Sequence, residues 1–304
     1  MKDLEQKCTI FANCNVCFTY ESKIEDVVTV IDITYVKKRI DLIMMDFEAA
    51  TKKIRLDIVS AIHRAKKGHL GGALSCVDVL YYLYSEGIVD VFENEKTNNT
   101  FILSKGHSSI ALLAVVNFIK QNKYKDFVDN FNLDGSLSGN NCSELVPGFE
   151  FHTGSLGHGL GLGSGVALSK KLNNEKGKTI VLSSDGELHE GSTLEGLLFA
   201  QQHDLNVTMI IDNNGQICEN FTNKVVSVNK MINFLETNFN CLVIDGHNYS
   251  EIIKIKPFIN QSGFKIIISN TIKGKGISFM ESNIRWHHSV PNDSEYKLAK
   301  EELI

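Results

Sequence analysis

No stretch of this sequence approaches the roughly 20 consecutive apolar residues that a membrane-spanning helix needs, so no membrane partner is expected. The start, Met1-Lys2-Asp3-Leu4-Glu5, puts two acids before any apolar run and offers no small-residue cleavage site, which speaks against a secretory leader. The protein is read as cytoplasmic. A long basic run is also missing: 31 Lys and Arg against 36 Asp and Glu leave a net charge of -5. A polyanion such as nucleic acid is therefore not the expected partner, whereas small anions held at a local patch are compatible with this balance. There is no closely spaced, even-numbered cysteine framework. The seven cysteines (Cys8, Cys14, Cys17, Cys76, Cys142, Cys218, Cys241) are scattered through the chain, which argues against disulfides. Cys14-x-x-Cys17 has only Cys8 nearby, short of the four ligands of a structural zinc site, and reads as reduced thiols. Two nucleotide fingerprints are absent as well. No G-x-G-x-x-G register fits the glycine run, and Gly177-Lys178-Thr179 has Leu172 where a Walker A motif begins with glycine.

What is there is ordinary globular composition: 304 residues, 43% hydrophobic and 22% charged, enough for one large core. Residues 1 to about 40 carry the early cysteines and a β-branched run from Val27 to Thr34, and read as an isolated strand or an add-on. From Phe47 to Lys67, Ile54, Ile58 and Ile62 recur at helical spacing, which predicts an amphipathic helix ending at Gly68. Further helices are predicted from about Ser75 to Tyr84 and from about Ser108 to Ile119. The span from Asn130 to Phe151 has loop chemistry, rich in Gly, Ser, Asn and Asp, and its length suggests function. A glycine run, Thr153 to Gly165, then precedes a helix from Val166 to Leu172. Apolar runs at Thr179–Leu182 and Val207–Ile211 flank a helix-like Ser192–His203, the pattern of a parallel βαβ unit. Cys241–Ile244, Tyr249–Asn260 and Lys265–Ser269 repeat the alternation. The expected fold is α/β, a doubly wound parallel sheet with helices on both faces.

Asp185 and Asn214 each lie just past the carboxyl end of one of the two βαβ strands, where open parallel sheets bind ligands. A carboxylate and an amide carbonyl converging there suit Mg2+, which takes few protein oxygens plus phosphate. Either residue alone also reads as a turn or a helix cap. The glycines before a helix could admit a phosphate to its N-terminus, or could let the helix pack tightly on a neighbour. His69, His107 and His287 sit in glycine-flanked or loop contexts, where proton-transfer and phosphate-binding groups tend to lie.

Read together, Gly68-His69-Leu70-Gly71-Gly72, Leu103-Ser104-Lys105-Gly106-His107, Thr153-Gly154-Ser155-Leu156-Gly157, Asp185-Gly186-Glu187 through Glu190-Gly191-Ser192 to Asp212-Asn213-Asn214, Lys273-Gly274-Lys275-Gly276 and Trp286-His287 resemble transketolase from about residue 46 to the C-terminus. The layout is similar to the stand-alone N-terminal, diphosphate-binding subunit of a split transketolase. The resemblance implies residues 1–45 as an extension and 46–304 as the thiamine-diphosphate-binding domain. It implies Mg2+, or Ca2+ or Mn2+, held by the side chains of Asp185 and Asn214 and the backbone of Gln216. It further implies cofactor contacts from His107, His287, Gly154, Ser155, Leu156, Gly186 and Asn214, with His69 and His287 as catalytic groups facing sugar hydroxyls. Glu190 and Glu195 would lie towards a subunit interface. In this family the glutamate that activates the cofactor's aminopyrimidine belongs to a pyrimidine-binding domain, so a separate C-terminal subunit is the implied partner, as an α2β2 assembly.

Three features depart from the family pattern. Its Gly-Asp-Gly reads Ser184-Asp185-Gly186, its Gly-His-Pro reads Gly139-Asn140-Asn141, and the first 40 or so residues have no counterpart. Asn140 can hydrogen-bond but cannot take up a proton near neutral pH. The expected donor is accordingly not a standard pentose phosphate ketose. Met44 and Met45 sit where a split subunit would begin, and residues 1 to about 40 are expected to be dispensable or poorly ordered. Two other functions are the alternatives: decarboxylative carboligation with pyruvate, as in deoxyxylulose-phosphate synthases, against which the split layout speaks, and a non-catalytic orphan subunit, which the intact set of Asp185, Asn214, His69, His107 and His287 disfavours.

Overall fold

The computed structural model describes residues 47–91, 98–141, 144–218 and 220–304. The expectations placed on residues 1–45, including Cys14-x-x-Cys17 and the Val27 to Thr34 run, lie outside them. Ile54, Ile58 and Ile62 are fully buried along one face of α1 (Phe47–Ala65), as their four-residue spacing requires. Two short helices follow, α2 (Leu70–Ser75) and α3 (Val77–Ser85), then β1 (Thr100–Leu103), a 3-10 turn at Gly106–Ser108, α4 (Ser109–Ile119) and α5 (Lys125–Asp129). Next come α6 (Gly159–Leu172), β2 (Thr179–Ser184), a 3-10 turn at Asp185–His189, α7 (Gly191–Gln202) and β3 (Val207–Asn213). A small hairpin, β4 (Gln216–Ile217) and β5 (Asn220–Phe221), leads to α8 (Thr222–Val225) and α9 (Val228–Asn238). The chain continues through β6 (Cys241–Asp245), α10 (Tyr249–Ile252), α11 (Ile255–Ile259), β7 (Lys265–Asn270), a 3-10 turn at Ile284–His287 and α12 (Asp293–Leu303).

Five strands pair in the order β1-β2-β3-β7-β6, every ladder parallel. Alternate residues of each strand enter opposite cores, which is the period of two at work. Phe101, Leu103, Ile180, Leu182, Ile210 and Ile267 pack with α1 to α4, while Ile102, Val181, Met209, Ile211, Ile266 and Ile268 pack with α6, α7 and α9. The doubly wound α/β expectation is met. Among the described residues no helix is long and apolar enough to cross a membrane.

Several boundaries differ from expectation. The helix after the glycine run starts at Gly159 rather than Val166, so Gly159, Gly161, Gly163 and Gly165 are helical despite a cost of about 1 kcal/mol each relative to alanine. Two of them have a packing reason: a Cβ on Gly159 would lie 2.2 Å from Ser104 Oγ, and one on Gly163 would lie 2.6 Å from Val181 Cγ2. Tyr249–Asn260 is two helices, not one, because Pro257 has no N–H to give the Ile253 carbonyl. Tyr82 supplies that hydrogen bond instead, at 3.2 Å. Strand β1 and helix α12 go beyond what the sequence pattern predicts.

Candidate functional site

The chain leaves β1 and β7 towards one core and β2 and β3 towards the other. Connections that diverge in this way open a crevice at the carboxyl ends of the strands. Ser184 and Asp212 are register partners at the tips of β2 and β3, so the residues just past them share one place. The Asp185 carboxylate is fully buried; Oδ1 accepts from the Gly186 amide at 2.9 Å and Oδ2 from the Gly215 amide at 2.7 Å. Gly215 can present its amide because it turns through φ +77°, a conformation that favours glycine. Burial, then the neighbouring Asp212, pushes the Asp185 pKa up to about 7. Among the described residues it has no ion-pair partner.

Beside it, Asn214 donates Nδ2 to Asp212 Oδ2 at 3.2 Å and accepts the Gln216 amide on Oδ1 at 3.2 Å. Those two bonds fix which end of the amide is oxygen. Asp212 itself is an anchor rather than a ligand. It is wholly buried and receives Lys105 Nζ, Ser75 Oγ, Thr271 Oγ1 and Asn214 Nδ2. Burial alone would raise its pKa, but the Lys105 charge and these donors hold it below the usual carboxylate value. Lys105 also donates to the Gly72 carbonyl at 2.9 Å, tying the Asp212 anchor to the Gly68-His69-Leu70-Gly71-Gly72 segment.

The glycines of that segment let α2 lie flat against its neighbours. A Cβ on Gly72 would sit 3.4 Å from His107 Nε2, and one on Gly71 only 3.0 Å from Lys273 Cγ and from the Trp286 carbonyl. The structure thus brings His69, His107 and His287 together, with ring centroids 5.3 Å apart for His69–His107 and His69–His287 and 6.1 Å for His107–His287. Burial, then the Lys273 charge, lowers the His287 pKa to about 3. Burial also lowers His69, and takes His107 well below the ordinary histidine value. All three rings are neutral near pH 7 and so offer both a donor and an acceptor nitrogen. Lys273 lies beneath them, with Nζ 2.8 Å from His287 Nδ1 and 3.3 Å from the Gln216 carbonyl oxygen. Burial, with Lys105 nearby, lowers its pKa to about 8. Asn140 makes a polar contact with His69 and is held by Asn132, whose Nδ2 donates to Asn140 Oδ1 at 3.0 Å.

Gly154, Ser155 and Leu156 lie along the same crevice because Gly106, beside His107, packs on the Thr153 carbonyl; a Cβ there would be 2.9 Å away. The turn is fastened by Glu187. This buried carboxylate accepts from Ser104 Oγ, from the Gly157 amide at 2.9 Å and from the Ser184 amide at 3.0 Å. The Gly157 and Gly159 amides are therefore occupied by Glu187 and by Ser104 Oγ at 3.1 Å. For those two positions tight packing, not phosphate approach, is the reading the structure bears out. Glu190 and Glu195 are exposed, as are Leu198 and Phe199 on α7.

Lys105, Glu187, Asp212 and Lys273 stand inside the sequence motifs, yet the motifs by themselves give them no roles. For Glu187 a signal exists: Ser184-x-x-Glu187 is a capping box, and the structure forms it. Lys105 and Lys273 have none, because nothing in their local sequence says they are buried.

Residues 47–303 match the family described as transketolase, thiamine diphosphate binding domain. The chain is 35% identical over 266 residues to an apulose-4-phosphate transketolase subunit of Phocaeicola vulgatus, covering 84% of this chain and 93% of that protein. It is 28% identical over 266 residues to a 6-deoxy-6-sulfo-D-fructose transketolase subunit of a Clostridium species, covering 85% and 96%. The fold is similar to the transketolase of Leishmania mexicana, with a TM-score of 0.75 at 20% identity, covering 86% of this chain but only 41% of that one. The chain belongs to the transketolase family, as a thiamine-diphosphate-binding enzyme subunit of the transferase class.

Proposed function

We propose that this chain is the diphosphate-binding half of a two-chain transketolase that moves a two-carbon ketol unit from a ketose donor to an aldose acceptor. The observation that carries the reading is the convergence of the two strand tips, with the Gly215 amide 2.7 Å from Asp185 Oδ2. The residues fit a hard divalent cation. Asp185 is a buried carboxylate with no ion-pair partner among the described residues, and the turn whose Gly215 amide donates to it also carries the neutral Asn214 and Gln216 carbonyl oxygens. The buried Gln216 Oε1 has no hydrogen-bond partner. Asp185, Asn214 and the Gln216 backbone would hold Mg2+, or Ca2+ or Mn2+, against a diphosphate. Gly186, His107 and the Gly154-Ser155-Leu156 turn would line the cofactor. The Lys273 ammonium adds a buried positive charge suited to an anionic ligand.

Thiamine diphosphate, when bound, supplies the carbanion-stabilising chemistry of C–C cleavage. The chain's own task is to orient and exclude. Neutral His69 can donate to one sugar hydroxyl and accept from another, while His287, whose Nδ1 is taken by Lys273, can donate to one. Lys273 fixes the tautomer of His287 by donating to Nδ1, which leaves Nε2–H towards the sugar.

The test is reconstitution with a pyrimidine-domain chain and a panel of ketoses and 2-oxo acids. Cofactor-dependent ketose consumption is expected from the pair and none from this chain alone. Turnover by the single chain would overturn the two-chain reading, and selective use of pyruvate would favour the decarboxylative alternative. Asn140 carries the donor prediction. Because it presents an amide beside His69, xylulose 5-phosphate with ribose 5-phosphate should be a poor pair. Two relatives are named for different sugars, apulose 4-phosphate and a sulfofructose.

A pH prediction follows from Asp185. Its pKa is raised, so the proton is held more tightly in the folded chain than in the unfolded one. Ionisation therefore costs the metal-free fold stability as pH rises from about 4 to about 7. A cation needs the ionised form, so Mg2+-dependent cofactor affinity should fall as pH drops below about 7. Equilibrium dialysis between pH 6 and 8 reads this; a flat profile would remove Asp185 from the ligand set.

A further inference from the structure

His288 takes no part in the function proposed above, yet it stands against two residues that do. Its ring centroid lies 4.4 Å from that of His287 and 4.5 Å from that of His69. One ring nitrogen from each of His69, His287 and His288 falls within 4.8 Å of the others. Nitrogens around a tetrahedral Zn2+ at bonds of about 2.0–2.1 Å are separated by roughly 3.4 Å, so closure requires a movement on the order of 1 Å. His288, the exposed member, can make that movement.

His69 and His287 each have a nitrogen to give. His69 Nδ1 is buried and has no hydrogen-bond partner, an unusual state for a polar atom shielded from water. His287 has Nδ1 engaged by Lys273 at 2.8 Å, leaving Nε2. Three imidazoles and an open fourth position are the donor set of zinc or of another borderline transition metal, and a poor one for Mg2+. The hard-oxygen group at Asp185, Asn214 and Gln216 has the opposite preference. Two neighbouring sites of opposite hardness can therefore fill independently.

We propose that His69, His287 and His288 form a second metal site, selective for Zn2+ over Mg2+, whose occupation blocks the approach to His69 and His287. Binding at His287 Nε2 displaces a proton from the Lys273–His287 pair, so uptake is accompanied by proton release. The blocking effect rests on the proposed function; the binding does not, since it needs neither cofactor nor partner chain.

The binding test titrates full-length chain with Zn2+ against a chelating dye in excess Mg2+, without thiamine diphosphate. A Cys14→Ser/Cys17→Ser background keeps the N-terminal thiols from competing. One Zn2+ per chain is expected, weakened by more than about tenfold in His288→Ala. Co2+ in its place should give visible bands of imidazole ligation without thiolate charge transfer. Unchanged Zn2+ affinity in His288→Ala, or a thiolate band, would overturn the site. In the reconstituted two-chain enzyme, micromolar Zn2+ should inhibit, and His288→Ala, measured against its own zinc-free rate, should resist. Equal inhibition of both forms would remove the blocking role. If the pair proves inactive on every substrate, the proposed function fails while the dye titration still decides the metal site.

Discussion

Replacing Asp185 and Asn214 together with alanine should weaken magnesium-dependent uptake of thiamine diphosphate by the assembled pair by more than about a hundredfold. The two residues supply the side-chain oxygens that a divalent cation would take at the strand tips, and the Gly215 amide that donates to Asp185 couples them. Without both, a bound diphosphate would lack the cation that these oxygens would hold, and Lys273 alone would be left to balance its charge. The fold should survive. Asp185 is disfavoured as an anion in the metal-free chain, so removing it relieves an electrostatic penalty. Equilibrium dialysis gives the affinity and circular dichroism the integrity of the fold. Uptake equal to that of the unsubstituted chain would end the case for a cation at this place.

Asp212→Ala should act in the opposite way, on stability first. It leaves the Lys105 ammonium fully buried without its counter-charge and strips Ser75, Thr271 and Asn214 of their shared acceptor. Breaking a buried pair from one side costs about 3–5 kcal/mol. For a chain of this size that is a drop in melting temperature on the order of 10 °C. Replacing both partners, as Lys105→Met with Asp212→Leu, should recover part of the loss, because no lone charge remains buried. Chemical denaturation of the three variants separates these effects, and equal losses in the single and double variants would show that the charge pair is not what matters.

The sheet and its two cores are legible in the sequence because the strands are short apolar runs separated at helical intervals, a pattern that needs no tertiary information. Asp185, Asn214 and the histidines are legible through motif order and their placement past strand ends. Other elements are not. Strand β1 has only four residues and is buried throughout, so it shows no alternation, and length alone cannot separate it from a helix turn. Helix α12 buries only Ala299 and Leu303; its one clear signal is the capping box formed by Asn292 and Glu295. The start of α6 is hidden because glycine disfavours helix, and only Ser104 and Val181, distant in sequence, explain why small residues are required there. Lys105, Asp212 and Lys273 are charges whose burial is set by tertiary contacts. Their roles can be drawn from geometry and from nowhere else.

The position of β7 has a consequence for how the protein is made. It sits between β3 and β6, yet it is the last of the five to leave the ribosome. Until it inserts, β3 and β6 have no neighbour in common, and the Thr271 hydroxyl, Lys273 and His287 that follow it are not yet attached to the rest of the crevice. Nascent chains shorter than about this strand should therefore expose an unpaired edge of β3 and recruit chaperones, and the capacity to hold a ligand should arise in one late step during translation.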